Sequence, residues 1–148
     1  MSEHRVDLNW ARGDHAFAYD SFSRAHSVRF SGGQTVQASS APGYFGDGAL
    51  ANPEELLIAA LSSCHMLTLL AIAAKRGYVV ESYSDAAVGV LEKDAEGKLA
   101  VTRVTLVPTI VFGGDKQPGA DELAALHQRA HQHCVIAHSV KTEVTIRG

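Results

Sequence analysis

The chain has 148 residues, of which 46% are hydrophobic and 20% are charged, and its formal net charge is −3. This is enough apolar material for one packed domain over residues 1–148, and no change in composition suggests a second. The charges form no basic stripe, so the sequence predicts no nucleic-acid partner. The N-terminus lacks the apolar core of a signal peptide, and no apolar run is expected to reach the ~18 residues of a membrane span. We therefore expect a cytoplasmic protein with no membrane partner.

Alternating apolar and polar residues predict a strand-rich start. Strands are predicted at residues 6–10, 16–22 and 26–30. A Gly-Gly turn at 31–34 followed by an extended run at 35–39 predicts a hairpin. Residues 39–51 contain proline and three glycines without the spacing of a phosphate-binding loop, so they are interpreted as a connecting loop.

A long helix is predicted from Asn52 to Arg76. Asn52 is a favourable N-cap, Pro53 suits the first helical position, Glu55 stands where a capping box needs it, and Gly77 marks the end. Because the helix is apolar on nearly all sides, we expect it to be central, and a lone subunit of this size would leave part of it uncovered. The sequence therefore predicts a homodimer in which paired helices shield each other.

The second half of the chain continues the mixed pattern. Strands are predicted at 78–91 and 99–112 around a polar turn, followed by a loop at 113–119. Asp121 and Glu122 open a second helix, and residues 139–146 alternate as a last strand. Since helices and strands do not alternate strictly, the predicted class is α+β, with largely antiparallel sheets around a long central helix.

Two cysteines stand out among the candidate functional residues. Cys64 lies in the middle of the long helix, and Cys134 lies seventy positions later beside several histidines. In a reducing compartment a cysteine pair is more often catalytic, sensory or metal-binding than a permanent cross-link. A thiol buried among apolar groups has a raised pKa and is inert, so activity is expected to require a nearby cation.

Two motifs resemble one known family. The run Asn52-Pro53-Glu54-Glu55 leading to Ser62-Ser63-Cys64-His65, together with Ala130-His131-Gln132-His133-Cys134 and Ser139, resembles the OsmC/Ohr family of thiol-dependent hydroperoxide reductases. The resemblance implies an OsmC-like fold and an intertwined homodimer. It implies an organic hydroperoxide as substrate, a dithiol reductant that is either a lipoyl protein or a small thiol, and no metal or organic cofactor.

The same resemblance implies the site residues. Cys64 becomes the peroxidatic cysteine, Cys134 the resolving cysteine, and Glu54 the partner of an arginine beside the reactive sulfur. The Gly-Gly-Arg turn typical of the hydroperoxide-resistance branch is absent, so the arginine is assigned by position to Arg24, with Arg12 as the alternative.

Helix geometry adds a constraint on Glu54. Ten residues separate it from Cys64, which on a continuous helix is ~15 Å of rise and ~80° of rotation. The two side chains cannot touch within one straight helix. Either the helix breaks or Glu54 acts on the partner subunit, and we favour the partner.

Three other functions compete with the peroxidase. His127, His131 and Cys134 share a helical face, and His65 or Cys64 would complete a zinc site. A cysteine hydrolase would use Cys64 as nucleophile with His131 or His133 as base. A redox sensor or binding module would keep both thiols without turnover.

Overall fold

A computed structural model describes all 148 residues, in two compact units, residues 1–56 and 57–148. Strands and helices mix along the chain as β-β-β-α-β-β-β-β-α-α-β, which confirms the α+β class. That the whole chain acts as one domain stays a prediction.

The first unit contains a three-stranded antiparallel sheet. Strands β1 (Val6–Asn9), β2 (His26–Phe30) and β3 (Thr35–Ala38) pair in that order, and the predicted β2–β3 hairpin is confirmed. The strand predicted at 16–22 is wrong, because these residues form turns. Their aromatic side chains suit strands, but here Phe17 and Phe22 pack against Trp10, with ring centroids 6.0 and 6.2 Å away.

The loop predicted at 39–51 is confirmed, with one short element inside it. A single 3₁₀ turn forms at Pro42–Tyr44. A parallel bridge between Ala38 and Ala51 brings the two ends of the loop together. The loop therefore returns the chain to β3 before the long helix starts.

Helix α1 (Pro53–Lys75) begins as the sequence predicts. Asn52 Oδ1 accepts a hydrogen bond from the Glu55 amide at 2.9 Å, and the Glu55 carboxylate accepts one from the Asn52 amide at 3.1 Å. This reciprocal pair is the expected capping box. The helix ends one residue before the predicted Arg76, and Gly77 follows with a φ of +79°, a conformation that glycine adopts without strain.

Within the second unit, α1 buries one stripe of side chains, Leu61, His65, Leu69 and Ala73. Other apolar positions face outward, and Leu67 is 59% exposed. By length and composition α1 is apolar enough to cross a membrane, so the expectation that no apolar run is long enough for a membrane span is wrong. A core helix of a soluble protein meets the same criterion, so α1 by itself is weak evidence for a membrane span.

The second unit has two small sheets. The strands are β4 (Val79–Asp85), β5 (Val88–Lys93), β6 (Leu99–Leu106) and β7 (Pro108–Gly113). β4 pairs with β7, and β5 pairs with β6, all antiparallel. The β5–β6 hairpin is as predicted, but the two long strands predicted at 78–91 and 99–112 are wrong.

Each long run is divided because the chain changes sheet. The Asp85 carboxylate accepts a hydrogen bond from the Val107 amide at 2.7 Å. This bond links the end of β4 to the residue between β6 and β7, which are the two places where the chain changes sheet. Pro108, one residue later, has no amide proton for a continuous ladder. Each run that the sequence predicts as one long strand therefore contributes one strand to each of the two sheets.

The chain closes with helix α2 (Ala120–His133), helix α3 (Val135–His138) and strand β8 (Glu143–Ile146). Helix α2 opens as predicted. Helix α3 was not predicted, and the last strand is four residues shorter than expected. β8 pairs with β6 in parallel.

Two hydrophobic clusters hold α1 in the second unit. The first cluster joins α1 to α2, and its fully buried members are Leu69, Ala73, Leu126 and Ala130. The second cluster joins α1 to β6, and its fully buried members are Leu61, Val104 and Leu106. Burial of each large aliphatic side chain contributes about 1.5–3 kcal/mol. The middle of α1, which carries Cys64, is thus fixed between α2 and a sheet.

Candidate active site

The structure brings Cys64 and Cys134 together. Cys64 lies on the middle of α1, Cys134 lies between α2 and α3, and both thiols are free. The two side chains are within hydrogen-bonding reach of each other. A reduced dithiol therefore sits at the junction of three helices.

Cys134 is positioned by the ends of the two helices that flank it. Its amide donates to the His131 carbonyl at the end of α2, at 3.3 Å. Its sulfur accepts from the Ala137 amide at 3.4 Å and so caps α3. The residue is only 1% exposed, whereas Cys64 is partly exposed, so Cys64 is the thiol that a small molecule reaches.

Polar neighbours favour the thiolate form of Cys64. Burial raises the pKa of its thiol, but hydrogen bonds from the Cys134 thiol, the Ile136 and Val135 amides and the Thr68 hydroxyl outweigh burial and bring the pKa below its ordinary value. Burial raises the pKa of the Cys134 thiol, and the hydrogen bond to Cys64 raises it further. When the pair loses one proton, Cys64 is the thiolate and Cys134 the donor.

Sequence reasoning missed these donors. The Val135 and Ile136 amides belong to α3, whose four residues carry no strong helix signal. Thr68 stands one helical turn after Cys64, and its single hydroxyl proton is shared between the Cys64 sulfur and the Cys64 carbonyl, 2.7 Å away. The i, i+4 spacing of Cys64 and Thr68 was the one available signal.

Glu54 lies in the first turn of α1 and is partly buried. The helix is continuous from Pro53 to Lys75, which removes the alternative of a helix break between Glu54 and Cys64. Ten helical residues keep the two side chains ~15 Å apart along the axis. Action of Glu54 on the partner subunit stays a prediction.

Arg24 belongs to the first unit, where its guanidinium contacts residues close to it in the sequence. Its guanidinium carbon lies 3.5 Å from the Phe22 ring centroid. It donates to the Phe22 carbonyl at 2.6 Å and to the Tyr19 carbonyl. Arg12 is exposed and donates to the His15 carbonyl at 3.3 Å. The assignment of either arginine to the reactive sulfur stays a prediction.

A buried histidine pair joins α1 to α2, and one member is His65, the residue after Cys64. His65 Nε2 is 3.0 Å from His127 Nδ1, and the two rings are nearly coplanar, with an interplanar angle of 5°. Burial, followed by the neighbouring His127 and His131, lowers the pKa of His65 to about 4, and burial lowers the pKa of His127. Both rings are therefore neutral at pH 7. Sequence reasoning did not pair them.

The zinc arrangement does not form. No three His, Cys, Asp or Glu side chains gather as a metal ion would need. His65 and His127 instead make one pair, and Cys64 and Cys134 make the other. The donor set predicted for zinc is thus divided between two contacts.

A groove between α1 and α2 leads away from the dithiol. It encloses about 460 Å³ and is called here the basic groove, lined by Thr68, Ala71, Ile72, Lys75, Arg76, Arg129 and His133. Thr68 is the residue that contacts Cys64, and His133 precedes Cys134 in sequence. The α1 wall of the groove therefore begins beside Cys64, and the α2 wall ends one residue before Cys134.

Comparison with known proteins identifies the family. A family model for OsmC-like proteins matches residues 46–147. The solved structure of an OsmC-like protein of unknown function from Vibrio cholerae is 47% identical, covers 99% of both chains and superimposes with a TM-score of 0.95. The chain belongs to the OsmC-like family.

More distant structures share the fold. An organic hydroperoxide resistance protein from Legionella pneumophila is 18% identical over 99% of this chain and 95% of its own, with a TM-score of 0.71. The organic hydroperoxide resistance protein of Bacillus subtilis is also 18% identical, over 99% and 98% of the two chains, with a TM-score of 0.67. No curated protein matches the sequence.

Proposed function

We propose that this protein is a thiol-dependent peroxidase that reduces organic hydroperoxides to alcohols. The observation that supports the proposal is the Cys64–Cys134 pair, in which one thiol has a lowered pKa and the other a raised one. A nucleophile and a proton-bearing resolving thiol are the two groups that such a cycle needs. The names of the distant hydroperoxide resistance proteins support the choice of organic hydroperoxides as the proposed substrate class.

The first step is attack by the Cys64 thiolate on the terminal oxygen of the peroxide. The O–O bond breaks, a sulfenic acid forms on Cys64, and the alkoxide takes a proton and leaves as the alcohol. The Val135 and Ile136 amides, which favour the thiolate, also offer donors near the reacting oxygens. Sulfur is oxidised by two electrons, and the peroxide is reduced by the same two.

The second step forms the disulfide. The Cys134 sulfur attacks the Cys64 sulfenic acid, an S–S bond forms, and the hydroxyl group leaves as water with the Cys134 proton. A dithiol, from a lipoyl protein or a small thiol, then returns both cysteines to the reduced state by exchange. The raised pKa of Cys134 keeps its proton in place until this step.

The working form is proposed to be a cytoplasmic homodimer. Apolar residues on α1 outside the buried stripe, such as Leu67, are left uncovered by the second unit. A second copy would shield them and would bring a Glu54 toward the site from outside. Arg24, or Arg12 in its place, is proposed as the arginine that Glu54 holds by a bidentate ion pair.

Intact-mass measurement tests the proposal. Reduced protein treated with one equivalent of cumene hydroperoxide should lose ~2 Da as the disulfide forms, and Cys134→Ser should gain ~16 Da as the sulfenic acid persists. Cys64→Ser is the matched control and should not change. An unchanged wild-type mass would exclude the peroxidase, and a single oxidation without turnover by a dithiol would indicate a sensor.

A further inference from the structure

The basic groove has an unbalanced charge. Lys75 at the end of α1 and Arg76 just after it face Arg129 on α2, and no carboxylate lines the cavity. The three ion pairs of the chain lie elsewhere, between Arg5 and Glu3, Lys98 and Glu96, and Arg103 and Glu92. The groove cations therefore pair with no carboxylate of their own chain.

Helix ends explain some of these cations, but not all of them. Lys75 lies in the last turn of α1, where the helix dipole favours positive charge. Arg129 lies more than one turn before the end of α2, where that effect has decayed. The helix dipole therefore does not explain Arg129, and this residue is the cation that indicates a binding site.

The floor of the groove is apolar and leads to the thiols. Ala71 and Ile72 lie between the cations and Thr68, which contacts Cys64. Eleven helical residues separate Cys64 from Lys75, a rise of ~16 Å. This distance suits a ligand with a reactive group at one end, an alkyl chain along Ala71 and Ile72, and an anionic group at the other end.

We propose that the basic groove binds the carboxylate of a reactant in the Cys64 cycle, with Arg129 and Lys75 as its main contacts. The proposal rests on the peroxidase function given above. Two reactants share this chemistry: a hydroperoxide that carries a carboxylate, and a dithiol reductant that carries one. Ionic contact with a guanidinium and an ammonium supplies affinity, and the apolar floor aligns the chain toward the sulfur.

Binding is tested without the chemistry. Cys64→Ser protein, which cannot turn over, is titrated with octanoate and with octan-1-ol while backbone amide shifts of Ala71, Ile72 and Arg129 are followed by NMR. Octanoate should bind about two- to fivefold more weakly to the Arg129→Gln and Lys75→Gln forms, the scale of one exposed ion pair. Lys93→Gln, a surface change on β5, is the matched control and should leave octanoate binding unchanged.

Neutral octan-1-ol should bind all four forms equally. Equal affinity of octanoate and octan-1-ol, or octanoate affinity unchanged by Arg129→Gln, would overturn the proposal. Added salt should weaken octanoate binding only.

Rate measurements identify the reactant. Oxidation of the reduced protein is compared for linoleic acid hydroperoxide and its methyl ester, and reduction of the disulfide is compared for dihydrolipoate and dihydrolipoamide. If Arg129→Gln slows only the acid in the oxidation reaction, the groove serves the peroxide. If it slows only the acid in the reduction reaction, the groove serves the reductant.

The two proposals fail in different ways. Equal effects of Arg129→Gln on acid and neutral reactants in both reactions would overturn a role of the groove in the cycle. A protein that consumes no peroxide, but binds octanoate through Arg129, would overturn the peroxidase and leave an anion site.

Discussion

Removal of one histidine from the buried pair should destabilise the protein more than removal of both. His65 is 1% exposed and His127 is 7% exposed, and each is the only side-chain hydrogen-bond partner of the other. Their outer nitrogens, His65 Nδ1 and His127 Nε2, have no partner. The hydrogen bond between the two rings is therefore the only side-chain interaction that offsets the free-energy cost of burying them.

The magnitude follows from what each variant leaves behind. In His127→Leu, the His65 ring stays buried with both nitrogens unpaired, which costs about 1–3 kcal/mol. His65→Leu leaves His127 in the same condition. In the double variant no polar group remains, and substitution of both partners by apolar side chains is close to neutral. We expect each single change to lower the free energy of unfolding by about 2 kcal/mol and the double change to lower it by about 1 kcal/mol. The coupling energy between the two positions is then near 3 kcal/mol.

Urea unfolding measures these values. The reduced proteins are compared at pH 7.5 and one protein concentration, because a dimer would make the midpoint depend on concentration. His133→Leu, at an exposed histidine of α2, is the control and should stay within about 0.5 kcal/mol. A double variant that costs the sum of the two singles would refute the reasoning.

Two further predictions concern the thiols and the pH. Iodoacetamide should label Cys64 at least about tenfold faster than Cys134 in the folded protein near pH 7, because the pKa of Cys64 is lowered and Cys134 is buried. Peptide mapping measures the ratio of the two labelling rates. Equal rates would contradict the assignment of Cys64 as the nucleophile. Acid should destabilise the protein, because His65 binds a proton near pH 6.5 when unfolded but only near pH 4 when folded. Stability from His65 is fully present above pH 6.5 and is lost as the pH falls toward 4, by about 2 kcal/mol at pH 5. The double leucine variant should lack this loss, and a urea midpoint that rises on acidification would contradict the sign.

Local chemistry made α1 predictable. The start of the helix depends on Asn52 and Glu55, which bond to each other's amides, and its end depends on Gly77. These signals lie within a few residues of the structure that they specify. The β2–β3 hairpin was predicted for the same reason.

Contacts between distant residues were not predictable in the same way. The breaks near Asp85 and Pro108 depend on one carboxylate that bonds to an amide 22 positions later. His65 and His127 are 62 positions apart, and nothing in either neighbourhood specifies the pairing. The resemblance implied that Cys64 and Cys134 act together, but it did not indicate the α3 amides beside the sulfur.

The parallel pairing of β8 with β6 affects the order in which the fold can be completed. Thr105 and Thr145 lie side by side across this ladder, although forty positions separate them along the chain. Pairing these strands closes a loop of forty positions, which has a high entropic cost, so we expect β8 to dock late in folding. Until then one edge of β6 is open to pairing with another chain, and conditions that delay docking of β8 favour aggregation.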